Sequence, residues 1–277
     1  MTIAIIKPSQ SLMSKNGAML WLPSNIVGKR VYMSDPDVYT QDSVQKYPLG
    51  TRLEYADGRV FRYGKWGATS TNVPIARLVV NANACPGATG EEDVDGFEGD
   101  LYVAAAAGAT YVDLEKATAY AENFFEDGML AVYPSGHFCE YRICGSELGN
   151  GTYCRVYIDR EGGLKTALSA TDGVTAYKSL FSQLKDAVAE GTGFVSAMGA
   201  VLASGFTADY FGWVQRRGRC IITPTAYFGD TADERMAQLH SDGTIALKAA
   251  HGTHTLGYLT QRTVSGYGDL EVWLTLE

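Results

Sequence analysis

Residues 47–69, YPLGTRLEYADGRVFRYGKWGAT, set Asp57-Gly58 between two runs of aromatic and β-branched residues. Asp-Gly in that setting is the strongest short-range signal for a hairpin, because both residues tolerate the positive φ that a tight turn demands. On the first arm Leu53 and Tyr55 share one face and Arg52 and Glu54 the other; on the second, Phe61 and Tyr63 oppose Val60 and Arg62. A period of two this early commits the chain to sheet. The pattern recurs. TYCRVYID alternates Tyr153, Arg155 and Tyr157 against Cys154, Val156 and Ile158, and MLAVYPSGHFCEYRICG reads as two strands around Pro134-Ser135-Gly136. The chain turns strand-like from Gly99, returns to strands and turns after residue 189, and ends in a strand from Leu270 to Leu276. With 31 glycines and 17 tyrosines in 277 residues, many short strands joined by tight turns are expected. The expected class is all-β, an antiparallel barrel- or sandwich-like domain.

Three stretches depart from this rhythm. Residues 1–48 alternate apolar patches with Pro8, Pro23, Pro36 and Pro48 and read as an extended N-terminal arm. Residues 81–100 read as a long polar loop carrying Glu91, Glu92, Asp93, Asp95, Glu98 and Asp100. Residues 175–189 place Leu180, Phe181, Leu184 and Val188 on one helical stripe behind a Thr175 cap, which predicts the one short helix. The expected division is an arm over 1–48, hairpin and acidic loop over 49–100, and a main β domain over 101–277.

A composition of 46% hydrophobic and 19% charged residues suits a chain with a core. A net charge of −8 repels polyanions, so no direct nucleic-acid partner is expected. The N-terminus has no basic leader region and its apolar run stops at Lys7-Pro8, so it does not read as a signal peptide, and no apolar window of about 18 residues suggests a membrane span. Five cysteines, Cys85, Cys139, Cys144, Cys154 and Cys220, fit no common zinc spacing and read as free thiols.

No reaction is legible. The acidic loop offers hard oxygen ligands for calcium but lacks EF-hand spacing, and reads as a solvated loop. His251 and His254 stand three apart without an adjacent glutamate base; on a strand they would face opposite ways. His137 and His240 stand alone, and Ser265-Gly-Tyr-Gly is a turn, not a phosphate cradle. No nucleophile elbow, P-loop or dinucleotide fingerprint occurs. The expectation is a non-enzyme with no cofactor and no metal. The segment DYFGWVQRRGRC (209–220) mixes aromatics with arginines as single-strand binders do, yet its alternation places Phe211, Trp213 and Gln215 on one face of a strand. It reads as a packed strand in which Gly218 closes a turn and the arginines are left for acids of a neighbouring subunit. The expected interface comprises Trp213, Arg216, Arg217 and Arg219 with Phe61 and Tyr63.

Three segments in order, GTRLEYADGRVFRYGKWGAT, EDGMLAVYPSGHFCEYRICG and ADYFGWVQRRGRCII, resemble virion proteins of tailed bacteriophages of the capsid-associated kind, head decoration or cement proteins. The resemblance spans about a third of the chain and carries no catalytic residues. It implies a structural role: binding to the major capsid protein, a homotrimer, and a place on the capsid surface after synthesis in the host cytoplasm. The alternative is a receptor- or glycan-binding head-fibre or tail module, with exposed tyrosine and tryptophan stacking on sugars.

Overall fold

The computed structural model describes residues 11–13, 17–22, 36–67, 76–81, 96–115, 120–134, 137–158, 162–186, 196–203, 207–224, 235–239, 243–246, 255–261 and 270–277. The chain forms two compact units. One is split, built from residues 1–82 and 181–277; the other, residues 83–180, is inserted between its halves. These units cut across the expected division at 48/49 and 100/101. Four members of the acidic loop, Glu91 to Asp95, lie outside the described residues, as do Cys85, His240, His251, His254 and the Ser265 turn.

The split unit begins with β1 (Ser11–Met13), β2 (Met19–Trp21), β3 (Arg52–Glu54), β4 (Val60–Lys65) and β5 (Leu78–Asn81). The expected hairpin is present: Leu53 faces Phe61 across β3 and β4, and Gly58 takes φ +86° in the turn. The inserted unit contributes β6 (Gly96–Gly99), β7 (Tyr111–Glu115), β8 (Met129–Val132), β9 (Cys139–Ser146), β10 (Tyr153–Ile158) and β11 (Val174–Tyr177). The chain then returns through β12 (Lys185–Asp186), β13 (Ser196–Val201), β14 (Phe211–Ile222), β15 (Met236–Leu239), β16 (Ile245–Ala246), β17 (Thr255–Leu259) and β18 (Leu270–Thr275). All pairings between named strands are antiparallel, so the all-β class holds.

The split unit's sheet runs β1-β2-β3-β4-β14-β18-β17-β15-β16, with β13, β5 and β12 branching from β14. One cluster packs Phe61, Tyr63 and Trp213 with Leu20, Leu53 and Tyr47. A second packs Trp66, Leu184 and Val214, and a third Cys220, Ile222, Leu256, Val272 and Leu274. The inserted unit's sheet runs β6-β11-β8-β9-β10-β7. The residues after β6 return to the free side of β7, where Tyr102 N donates to Asp113 O and Glu115 N to Asp100 O. That return brings the two ends of the strand order together around Leu114, Phe125, Leu130, Ile143 and Val156.

Two expectations are corrected. The described residues between 175 and 186 hold no helix. Val174–Tyr177 is a strand between β6 and β8, residues 180–183 turn and bend, and Leu184 bridges to Trp66. The apolar stripe divides: Leu180 is exposed, while Phe181 and Leu184 pack into the split unit. β-branched Val174 and Thr175 suit the sheet, and sheet pairing on both sides outcompetes a weak helical period. The described parts of the N-terminal arm are not free either. β2 pairs with β3, Leu20, Leu22, Val38 and Tyr47 are buried beside Trp213, and Asp42 exchanges backbone hydrogen bonds with Phe211. The arm's apolar patches cover its own unit's aromatic core.

Candidate interaction surfaces

β14 is the strand around which the split unit is organised. From Phe211 to Gln215 it pairs with β4, residue against residue. Between Gln215 and Arg217 the register shifts by one, a β-bulge with Arg216 as the extra residue. A bulge reverses which side chains point to which face. Before it, Trp213 and Gln215 face the aromatic core; after it Gly218, Cys220 and Ile222 are buried, and Arg217, Arg219 and Ile221 point outward. The buried Gln215 side chain holds the kink, its Nε2 donating to Arg217 O (3.1 Å) and Arg219 O (2.7 Å). Gly218 does not close a turn. It lies inside the strand at φ +88°, where a Cβ would come within 3.0 Å of Arg59 Cα and Gly58 O.

The six expected interface residues therefore separate. Phe61, Tyr63 and Trp213 are at most 1% exposed inside the chain's own core, so none reaches a neighbouring subunit. Arg216 is turned inward: Nη1 donates to Met198 O and Nη2 to Leu276 O, both at 2.8 Å. Its Nε lies 3.6 Å from the Glu277 carboxylate, which also receives Nε and Nη2 of Arg62 and approaches Nε of Arg52 at 3.3 Å. Burial lowers the Arg216 pKa; Glu277 opposes that shift and Arg62 adds to it. Arg219 pairs with Glu271, whose own pKa is held down by the Thr260 hydroxyl and by Arg219. The acids expected on another subunit are thus supplied within the chain for Arg216 and Arg219. Arg217 has no ion pair among the described residues.

What Arg217 and Arg219 border is an exposed sheet face absent from the expectations. Cross-strand registers align Met236, Tyr258, Trp273 and Arg219 in one row over β15, β17, β18 and β14. Ile221 stands opposite Glu271 beside them, and the Tyr258 and Trp273 rings are stacked at 6.4 Å. The other side of these strands is core, so the row is fixed by pairing rather than by its own contacts. The signal was present in LEVWLTLE, where Glu271, Trp273 and Thr275 alternate with Leu270, Val272 and Leu274.

The inserted unit carries a second such face on β7 and β10. The alternation in TYCRVYID holds: Cys154, Val156 and Ile158 enter the core, and Tyr153, Arg155 and Tyr157 point outward. Arg155 donates to both oxygens of Asp113 (2.8 and 3.0 Å), and its guanidinium lies 4.1 Å from the Tyr111 ring centroid. Tyr153 stacks on Tyr102 at 5.1 Å, Tyr157 meets Tyr111 edge-on, and the Tyr157 hydroxyl donates to Glu147. Among the described residues, Asp113, Glu115, Glu147 and Asp100 set four carboxylates around the Arg155 guanidinium here.

Among the described residues no three His, Cys, Asp or Glu side chains converge as metal ligands. Among the described residues, Cys139, Cys144, Cys154 and Cys220 form no disulfide. Burial pushes Cys154 up to about 11 and Cys220 up to about 12, leaving both protonated and unreactive at neutral pH. No helix among the described residues is long and apolar enough to cross a membrane. No protein-family model, curated protein or solved structure matches the chain.

Proposed function

We propose that this chain is a structural, non-enzymatic virion protein that binds the major capsid protein and decorates or cements a phage head, assembling with copies of itself as a trimer. The observation that carries this reading is the pair of exposed sheet faces, each an aromatic centre bordered by charge on a rigid β scaffold. Trp, Tyr, Met and Arg are the residues enriched where proteins meet. A supporting observation comes from the three resembling segments. Two of them form the β3–β4 hairpin and β14, which pair within one sheet, and the third forms the β8–β9 hairpin.

Mass spectrometry of purified particles tests it. The expected result is a copy number that scales with capsid sites. Absence from particles, or a handful of copies, sinks it. The glycan-binding alternative draws on the exposed tyrosines of the inserted unit. It ranks second because Tyr102 and Tyr153 stack on each other and Arg155 covers Tyr111, which occupies ring faces that a sugar needs. Silence on a glycan array is the matching expectation.

A further inference from the structure

We infer that copies of this chain associate head to tail, the arginine-bordered face over β15–β17–β18–β14 of one copy docking on the tyrosine–carboxylate face over β7–β10 of the next. The inference rests on the reading of the chain as a self-assembling structural protein and supplies the contact it lacks.

Both surfaces are outer sides of sheets whose inner sides build cores, so their side chains are positioned before any partner arrives. On the first, Ile221, Tyr258 and Met236 are each more than 40% exposed, an apolar centre of the kind that interfaces bury. At its border Arg217 has no ion pair among the described residues, and the Arg219 side chain is 68% exposed despite its bond to Glu271. The second face is acidic, with Glu115 and Asp100 both exposed. The chain already shows how such a face receives a guanidinium. Arg155 lies over Tyr111 while both oxygens of Asp113 accept from it. One row along, Tyr153 stands directly opposite Glu115 and stacks on Tyr102, with Asp100 bonded through its backbone to Glu115. Arg155 also lies 6.0 Å from the Tyr153 ring centroid, so the ring open to a neighbour's Arg217 or Arg219 is that of Tyr102, 47% exposed, next to the exposed Asp100 and Glu115.

Charge also selects this arrangement over the symmetric ones. Laid on its own copy, the first face offers Arg217 and Arg219 a Glu271 already paired with Arg219, and the second offers Asp100 and Glu115 an Arg155 already held by Asp113, so neither self-pairing gains the opposite-sign contacts of the mixed one. Joining two different patches gives a heterologous contact, which repeats from copy to copy and closes into a ring when the rotation allows. A trimer is the ring with a rotation of about 120°.

Sedimentation velocity on the full chain tests this with two charge-reversed variants, Arg217→Glu with Arg219→Glu, and Asp100→Arg with Glu115→Arg. Wild type is expected to associate, with the dissociation constant rising about tenfold or more at high salt. Each variant alone is expected to be monomeric with an unchanged far-UV spectrum. An equimolar mixture of the two, or one chain carrying all four changes, is expected to associate again, because the complementary signs are restored. Should a reversal disturb folding, Arg217→Ala with Arg219→Ala and Asp100→Asn with Glu115→Gln read the same loss. A wild type that stays monomeric at all concentrations overturns the inference. So does association indifferent to both variants, or four changes that fail to restore it. Particle composition is read separately: a protein missing from virions yet showing charge-swap rescue ends the virion reading and leaves this contact standing. One present in virions as a monomer does the reverse.

Discussion

Trp213 lies 5.3 Å from the Tyr47 ring and 5.1 Å from that of Tyr63, so three aromatic side chains from the N-terminal segment, β4 and β14 meet at one point. Truncating the largest of them leaves a cavity that its sheet-bound neighbours cannot fill. Trp213→Ala is expected to cost about 3–5 kcal/mol in denaturant unfolding. A near-native midpoint would show that the ring is not a core anchor. Tyr63 adds a polar end to the same cluster. Its hydroxyl donates to Asp42 Oδ2 at 2.9 Å and accepts from Lys46 N at 3.2 Å. Burial raises its pKa above the usual phenol value of 10.0, and the Asp42 carboxylate raises it further, against the lowering bond from Lys46 N. A folded-state pKa above the unfolded one means stability that is complete below pH about 10 and is lost as the pH rises beyond it. Tyr63→Phe is therefore expected to cost about 1.5–3 kcal/mol at neutral pH, the worth of a hydrogen bond to a charged group. The same variant is expected to show a shallower decline of Tm above pH 10 than wild type. Equal alkaline slopes in the two proteins would remove Tyr63 as their cause.

Among elements, β14 shows what alternation can and cannot foretell. DYFGWVQRRGRC predicts a strand with Trp213 inward, and that is found. Continued without a break, the same alternation turns Arg217 and Arg219 toward the Trp213 face. The Arg216 bulge prevents this, and the sequence does not mark Arg216 as the extra residue, because the register on either side of it is set by pairing with β4 and β18, remote in sequence. Deleting Arg216 leaves Gln215 and Arg217 as neighbours opposite Phe61 and Val60, so Arg217 and Arg219 are expected to stay outward while the bonds of the Arg216 guanidinium to Met198 O and Leu276 O are lost, lowering the melting temperature without abolishing the fold. A deletion variant with a native-like melt would show that the register shift is dispensable. Hairpins and amphipathic strands, including β3–β4, β8–β9, β10 and β18, were legible because their partner or their core face lies within a few residues. The strand at Val174–Tyr177 was not, since its partners β6 and β8 lie some way back along the chain and only pairing overrides the helical stripe. The two exposed faces were legible only in part. Each strand displays its alternation, but which outward residues fall into one row depends on registers between β14, β18, β17 and β15 that no local pattern encodes.

At the scale of the whole molecule, residues 83–180 interrupt a unit that is complete only with both flanks. The excursion leaves after β5 and returns into β12, and these strands pair with each other, Val80 opposite Lys185 and Val79 opposite Asp186. Insertions are tolerated where their two ends lie close together, and the inserted unit has a core formed from its own residues. Residues 83–180 produced alone are expected to unfold cooperatively, and residues 1–82 alone to show no cooperative transition. A non-cooperative melt of 83–180 would mean that its core depends on the split unit. The interruption also orders events during translation. β4 leaves the ribosome about 150 residues ahead of its partner β14, so the first third of the protein waits, its apolar faces uncovered, while the contiguous middle has every strand it needs. The nascent chain completes its inserted unit first and its split unit last, and the waiting N-terminal strands are where a co-translational chaperone has its best opportunity to act.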